Sequence, residues 1–121
     1  MTMRVLVVED HEDNRQILRD LLENAGYDMI EAKDGEEALM AAASQRPDLI
    51  LMDIQLPILD GYEATRRLKT DLILKTIPII VVTSYALSGD EEKAYAAGCD
   101  AYVAKPYDPL ALLEIIRHHL G

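Results

Sequence analysis

The chain has 121 residues, enough for one domain with its own core and too few for a second independent one. Half of the residues are apolar, which excludes a disordered chain, and 12 basic against 22 acidic residues leave a net charge of −10. Such a field repels a phosphate backbone or an anionic membrane face, so direct nucleic-acid binding is not expected. The apolar run after Met1-Thr2-Met3-Arg4 is far too short for a leader or a membrane span, and the single cysteine, Cys99, has no internal disulfide partner. The expected location is cytoplasmic, with no membrane insertion.

Much of the acidity sits in one region. Residues 9–37 hold eleven acidic and three basic residues, a local net of −8, while the rest of the chain totals −2. No repeat, low-complexity tract or flexible linker interrupts the sequence, which reads as one module over residues 1–121 with no output domain.

In chain order, Val5 to Val8 is a continuous apolar run suited to a strand buried on both faces. Ile17, Leu18, Leu21, Leu22 and Ala25 then recur at helical spacing ahead of Gly26, predicting a helix over about 13–25 with a glycine C-terminal stop. Met29 to Ala32 forms a weaker second strand. Asp34 with Glu37 resembles a capping box that opens an alanine-rich helix ending before Pro47. Leu49 to Met52 is a third strand, Gly61 to Lys69 a helix and Ile79 to Val82 a fourth strand. Ser88 with Glu91 makes a second capping box for a helix closed by Gly98, and Ala101 to Ala104 is a fifth strand. Asp108 caps a last helix with Pro109 at its first position, where Leu112, Leu113, Ile116 and Leu120 share its face.

Short strands alternating with helices require parallel strands joined by right-handed crossovers, a doubly wound α/β domain. Ligands of such sheets sit outside the carboxyl ends of the strands, where the strand order reverses. Those ends carry Glu9 and Asp10, Asp53, Thr83 and Lys105. One aspartate after a strand is commonly a turn former or a helix cap. Five such residues at one edge are a constellation: clustered carboxylates call for a hard divalent cation such as magnesium, and a lysine with a hydroxyl suits an anion. Together they describe phosphoryl transfer with one of the carboxylates as acceptor.

The stretches VLVVED at 5–10, DLILMDIQLPILDG at 48–61, PIIVVTSYA at 78–86 and GCDAYVAKP at 98–106 resemble the receiver domain of bacterial response regulators, over the whole chain. MDIQLP, GDEE, and GC followed by an acidic residue and AY resemble its single-domain regulators of the DivK type. The resemblance implies a five-stranded sheet in the order 2-1-3-4-5 with five helices, the flavodoxin-like receiver fold. It implies that Asp53 accepts a phosphoryl group from a sensor histidine kinase or a histidine phosphotransfer protein. Mg2+ would be held by Asp10, Asp53 and the backbone carbonyl of Gln55, with Glu9 acting through water. Lys105 and Thr83 would hold the phosphoryl group, Tyr102 would turn inward to report the change to a downstream protein target, and Pro106 would follow a cis peptide bond that aims Lys105. Slow autodephosphorylation comes with this family. A relay passing the group to a histidine phosphotransfer protein, and a receiver piece of a hybrid kinase, are the alternatives. Leu59 and Tyr107 depart from the commoner methionine and phenylalanine without touching the chemistry.

Other residues carry blander expectations. His11, His118 and His119 lack the companions of a metal site, and histidines at a helix end favour the negative pole of its dipole. Cys99 reads as a small buried hydrophobe. Leu72, Ile73 and Leu74 either extend the third helix into the core or form a contact patch. Tyr85, Tyr95, Tyr102 and Tyr107 fall near the expected signalling face, with core filling an equal account of Tyr95.

Overall fold

The computed structural model describes residues 2–83 and 89–120. Strands β1 (Arg4–Val8), β2 (Asp28–Ala32), β3 (Leu49–Met52), β4 (Ile79–Thr83) and β5 (Ala101–Ala104) form one parallel sheet in the order β2-β1-β3-β4-β5. Helices α1 (Glu12–Asn24), α2 (Gly35–Gln45), α3 (Gly61–Thr70) and α4 (Asp90–Ala97) fill the crossovers, and α5 (Pro109–Leu120) follows β5. This is the flavodoxin-like doubly wound order, which reverses direction between β1 and β3.

The period of two in each strand divides the core between the two faces. Leu6, Val8, Ile50, Met52, Ile79 and Val81 pack against Ala38, Ala42, Ala64, Leu68 and Ala94 of α2, α3 and α4. Val5, Val7, Leu49, Leu51, Ile80 and Val82 face the other way, onto Leu18 and Leu22 of α1 and Leu112, Leu113 and Ile116 of α5. Strands β1, β3 and β4 read as unbroken apolar runs because both of their faces are covered.

Helix starts follow the side chains placed at them. Asp34 accepts from the Glu37 N–H at 2.8 Å while Glu37 accepts from the Lys33 N–H at 2.9 Å, the expected reciprocal cap shifted by one residue on the return bond. Asp60 accepts from the Glu63 N–H at 2.9 Å and Asp108 from the Leu110 N–H at 3.1 Å. Helix α4 departs from expectation. Its N-cap is Gly89, left-handed at φ +91 and without a side-chain cap bond, while Ser88 lies outside the described residues, as does Tyr85.

Helix α3 stops at Thr70 and is not extended by the apolar triplet that follows. The Asp71 carboxylate accepts from the N–H groups of Ile73 and Leu74 at 2.8 and 3.0 Å, which opens a separate turn. Leu74 is buried there, whereas Leu72 and Ile73 are exposed, so the triplet does not extend the helix and only its last residue enters the core. Lys69 closes the same segment by donating to the carbonyls of Lys75 and Ile77 and to Asp100. Cys99 is buried, and burial with the nearby Asp100 charge pushes its thiol up to about 11, the behaviour of an inert core cysteine. Tyr95 is nearly half exposed, which makes core filling the poorer account of it.

Candidate functional site

The parallel ladders run one residue beyond three strand ends and so set the site. Glu9 N–H donates to Ala32 O at 3.0 Å, Asp53 N–H to Val8 O at 3.0 Å and Lys105 N–H to Thr83 O at 2.7 Å. Because the strands are parallel, these bonds bring Glu9, Asp53 and Lys105 to the same edge of the sheet. Gly61 packs against this edge, where an added Cβ would lie 2.0 Å from the Asp53 carbonyl oxygen. The start of α3 can reach the loop after Asp53 only without a side chain.

Glu9, Asp10 and Asp53 each offer a carboxylate oxygen, and the three oxygens lie within 4.8 Å of one another. Lys105 Nζ donates to Glu9 Oε1 at 3.1 Å and stands 3.8 Å from Asp53 Oδ2. Its peptide bond to Pro106 is cis. Burial works to raise the pKa of Glu9, but the charge and hydrogen bond of Lys105, with hydrogen bonds involving Asn14 and Asp10, outweigh it and hold the carboxyl down at about 2. Asp53 goes the other way. Burial pushes it up to about 6; Lys105 opposes this, Glu9 reinforces it, and the Ile54 N–H donated to its Oδ1 at 2.7 Å opposes it again. One lysine cannot serve both carboxylates equally, and the nearer one takes it.

Two neighbours on α1 were not singled out from the sequence. Asn14 Nδ2 donates to Glu9 Oε1 at 2.7 Å, and Arg15 Nη1 donates to the Glu9 carbonyl at 2.8 Å. Arg15 is buried, and its remaining donors meet Glu31 and Glu12. The signal was present in the spacing: Arg15 lies on the stripe of Leu18 and Leu22, a charge on an apolar face that must find partners inside.

The remaining expected residues lie around this edge. Thr83 is fully buried at the end of β4. Tyr102 in β5 is half buried and packs on the α2, α3 and α4 side of the sheet. Tyr102 pairs in register with Val81, and Ala104 pairs with Thr83. Gln55 lines a cleft of about 570 Å³ with Asp10, Ile54, Leu56, Pro57, Asp60, Tyr62 and Asp90. His11 is the N-cap of α1, makes no side-chain cap bond and lies 3.7 Å from Asp10.

An all-oxygen, anionic donor set suits a hard divalent cation, and the fit to magnesium is good. Adjacent oxygens of its octahedral shell are about 3.0 Å apart and opposed ones about 4.2 Å, so the three carboxylate oxygens, which lie within 4.8 Å of one another, must draw together to share one ion directly, or one of them acts through a water the ion retains. Asp10 is the most open of them to solvent, which leaves room for the waters magnesium retains.

Comparison with known proteins agrees with this geometry. The chain is 48% identical over 121 residues to the polar-differentiation response regulator DivK of Brucella ovis, covering all of this chain and 98% of that one. Among solved structures it is similar to the receiver domain of the sensor histidine kinase PA1611 from Pseudomonas aeruginosa, with a TM-score of 0.93, 38% identity and coverage of 100% and 99% of the two chains. That structure has a magnesium ion coordinated in its active-site cleft. The chemotaxis response regulator CheY4 of Vibrio cholerae matches with a TM-score of 0.90 and 29% identity over 98% of this chain and 99% of that one. The family model of the response regulator receiver domain matches residues 5–117, and the chain belongs to that family.

Proposed function

We propose that this chain is a response regulator that accepts a phosphoryl group on Asp53 from a phosphohistidine of a sensor histidine kinase or phosphotransfer protein, in the cytoplasm, and signals by phosphorylation-dependent binding to a downstream protein. The observation that carries the reading is the Asp53 carboxylate beside Glu9 and Asp10 and 3.8 Å from the Lys105 ammonium. A carboxylate oxygen of Asp53 attacks phosphorus, the P–N bond breaks, and its electron pair stays on the imidazole nitrogen. The products are an acyl phosphate on Asp53 and a free histidine. Asp10, Asp53 and the backbone carbonyl of Gln55 would hold magnesium, with Glu9 acting through water, and the ion when bound would neutralise charge on the phosphoryl oxygens. Lys105 moves from Glu9 to those oxygens, and the Thr83 hydroxyl hydrogen-bonds one of them. Water on the same phosphorus reverses the modification.

Transmission follows from Thr83 and Tyr102 on adjacent strands. A threonine hydroxyl drawn toward the phosphoryl group leaves space into which the Tyr102 ring turns, biasing the face of α4, β5 and α5. A relay to a histidine phosphotransfer protein is the second reading. What supports it is an apolar hollow beside Lys105, lined by Ile17, Leu18, Pro106, Tyr107 and Pro109, against which a helix carrying the histidine would pack. The test is incubation with Mg2+ and a small acyl phosphate or phosphoramidate. The protein gains about 80 Da, the mass of one phosphoryl group, and the Asp53→Asn variant gains none. Stoichiometric labelling of that variant overturns the assignment.

A further inference from the structure

We infer that Asn14 is a positioning residue for the acidic site: its side-chain amide orients the Glu9 carboxylate for magnesium, both while Lys105 is on Glu9 and after Lys105 leaves it for the phosphoryl group. This rests on the function proposed above and goes beyond it. The Glu9 main chain is anchored from two sides, by its N–H to Ala32 O at 3.0 Å and by Arg15 Nη1 on its carbonyl at 2.8 Å. Those bonds do not fix the side chain, whose carboxylate is held by its own donors. Its Oε1 has two donors, Lys105 at 3.1 Å and Asn14 at 2.7 Å, while on Oε2 the His11 N–H is distant at 3.4 Å.

The two donors differ in kind. Lys105 is a flexible chain with a second carboxylate 3.8 Å away, and the chemistry requires it to change partner. Asn14 sits in the first turn of α1, whose backbone is fixed by the helix, and its short amide has little rotamer freedom to lose. It is also uncharged, so it orients Glu9 without neutralising the site that is to hold a cation. When Lys105 departs, Asn14 is the side-chain donor that remains on Oε1. Partners of this kind, which orient a metal-binding carboxylate from behind, typically change metal affinity by 10- to 100-fold when removed.

The test is calorimetric titration of the full chain with magnesium chloride, without any phosphodonor. Asn14→Leu keeps the approximate size of the side chain and removes the donor. It is expected to weaken magnesium binding about tenfold, the low end of the range for such partners. Asn14→Gln restores the amide, and the hollow that Asn14 borders gives the longer chain room to fold back. It is expected to recover affinity to within about threefold of the parent. The magnesium concentration giving half-maximal labelling of Asp53 shifts by the same factor, whereas partial misfolding lowers the amplitude and leaves that midpoint alone. If Asn14→Leu melts differently without metal, Asn14→Ala, a better helix former that also lacks the donor, repeats the comparison. Unchanged magnesium affinity in the Leu or Ala variant overturns the role of Asn14 while leaving the site intact. Absence of magnesium binding in the parent overturns the site itself, and the inference with it.

Discussion

Replacing Asp53 by asparagine should make the metal-free protein more stable at neutral pH, although it removes the functional group. Burial, reinforced by the Glu9 charge and opposed by Lys105, moves the Asp53 carboxyl from 3.8 up to about 6 on folding. The native state therefore holds this proton more tightly than the unfolded chain. The contribution to stability is complete below about pH 4, declines as pH rises through the interval to 6, and above it leaves an ionised carboxylate with a net cost. A shift of about two units corresponds to roughly 3 kcal/mol at about 1.4 kcal/mol per unit. Asparagine mimics the protonated form in shape and carries none of this penalty. Glu9 behaves oppositely, its carboxyl being held down at about 2, so its contribution is present above pH 4.5 and lost as pH falls through 2. It remains in both proteins and does not drive the difference between them. The expected gap is roughly 2 to 3 kcal/mol at pH 8, shrinking to about 0.5 kcal/mol at pH 4. At pH 8 this is roughly 10 °C in melting temperature for a chain of this size. The sequence has no tryptophan, so urea unfolding from pH 4 to 8 is followed by far-ultraviolet circular dichroism in the presence of a chelator. Magnesium then narrows the gap by stabilising the parent, by about 1.4 kcal/mol at ten times its dissociation constant. A variant equal to or weaker than the parent at pH 8, or a gap that does not grow from pH 4 to 7, refutes the reasoning.

Three further outcomes are expected. Ile58 is a β-branched residue in the left-handed region at φ +70 with its side chain largely in solvent, so Ile58→Asn gives up little burial and relieves strain. It should raise the stability measured by urea by about 1 kcal/mol. Gly61→Ala places a methyl 2.0 Å from the Asp53 carbonyl and 2.8 Å from Ile54 Cα, and should destabilise by about 2 kcal/mol while slowing the labelling of Asp53, as mass spectrometry over time will show. Thr65 is fully buried on α3, and its hydroxyl has no hydrogen-bond partner among the described residues. Thr65→Val keeps the shape without the desolvated hydroxyl and should stabilise by about 1 kcal/mol in the same urea measurement.

Strand and helix alternation was legible in the sequence because local patterns decide it. The apolar runs of β1, β3 and β4, the capping pair Asp34 and Glu37 and the placement of Pro109 each act within a few residues. Parallel pairing then follows from the helices between strands, and with it the edge at which Glu9, Asp10, Asp53, Thr83 and Lys105 gather. Boundaries set by one competing side chain were not legible. Asp71 ended α3 before Leu72 by capping the next turn, and the N-cap of α4 is a left-handed Gly89. The balance inside the site belongs to tertiary structure alone. Whether Lys105 lies nearer to Glu9 or to Asp53, and so which carboxyl is held down and which pushed up, depends on fractions of an ångström between residues far apart in the chain, Lys105 and Glu9 being 96 positions apart. Arg15 was legible only as a charge on the apolar stripe of α1, and that Arg15 and Asn14 both meet Glu9 is decided by folding. Periodicity records which face is buried, but not which polar group on that face meets which partner.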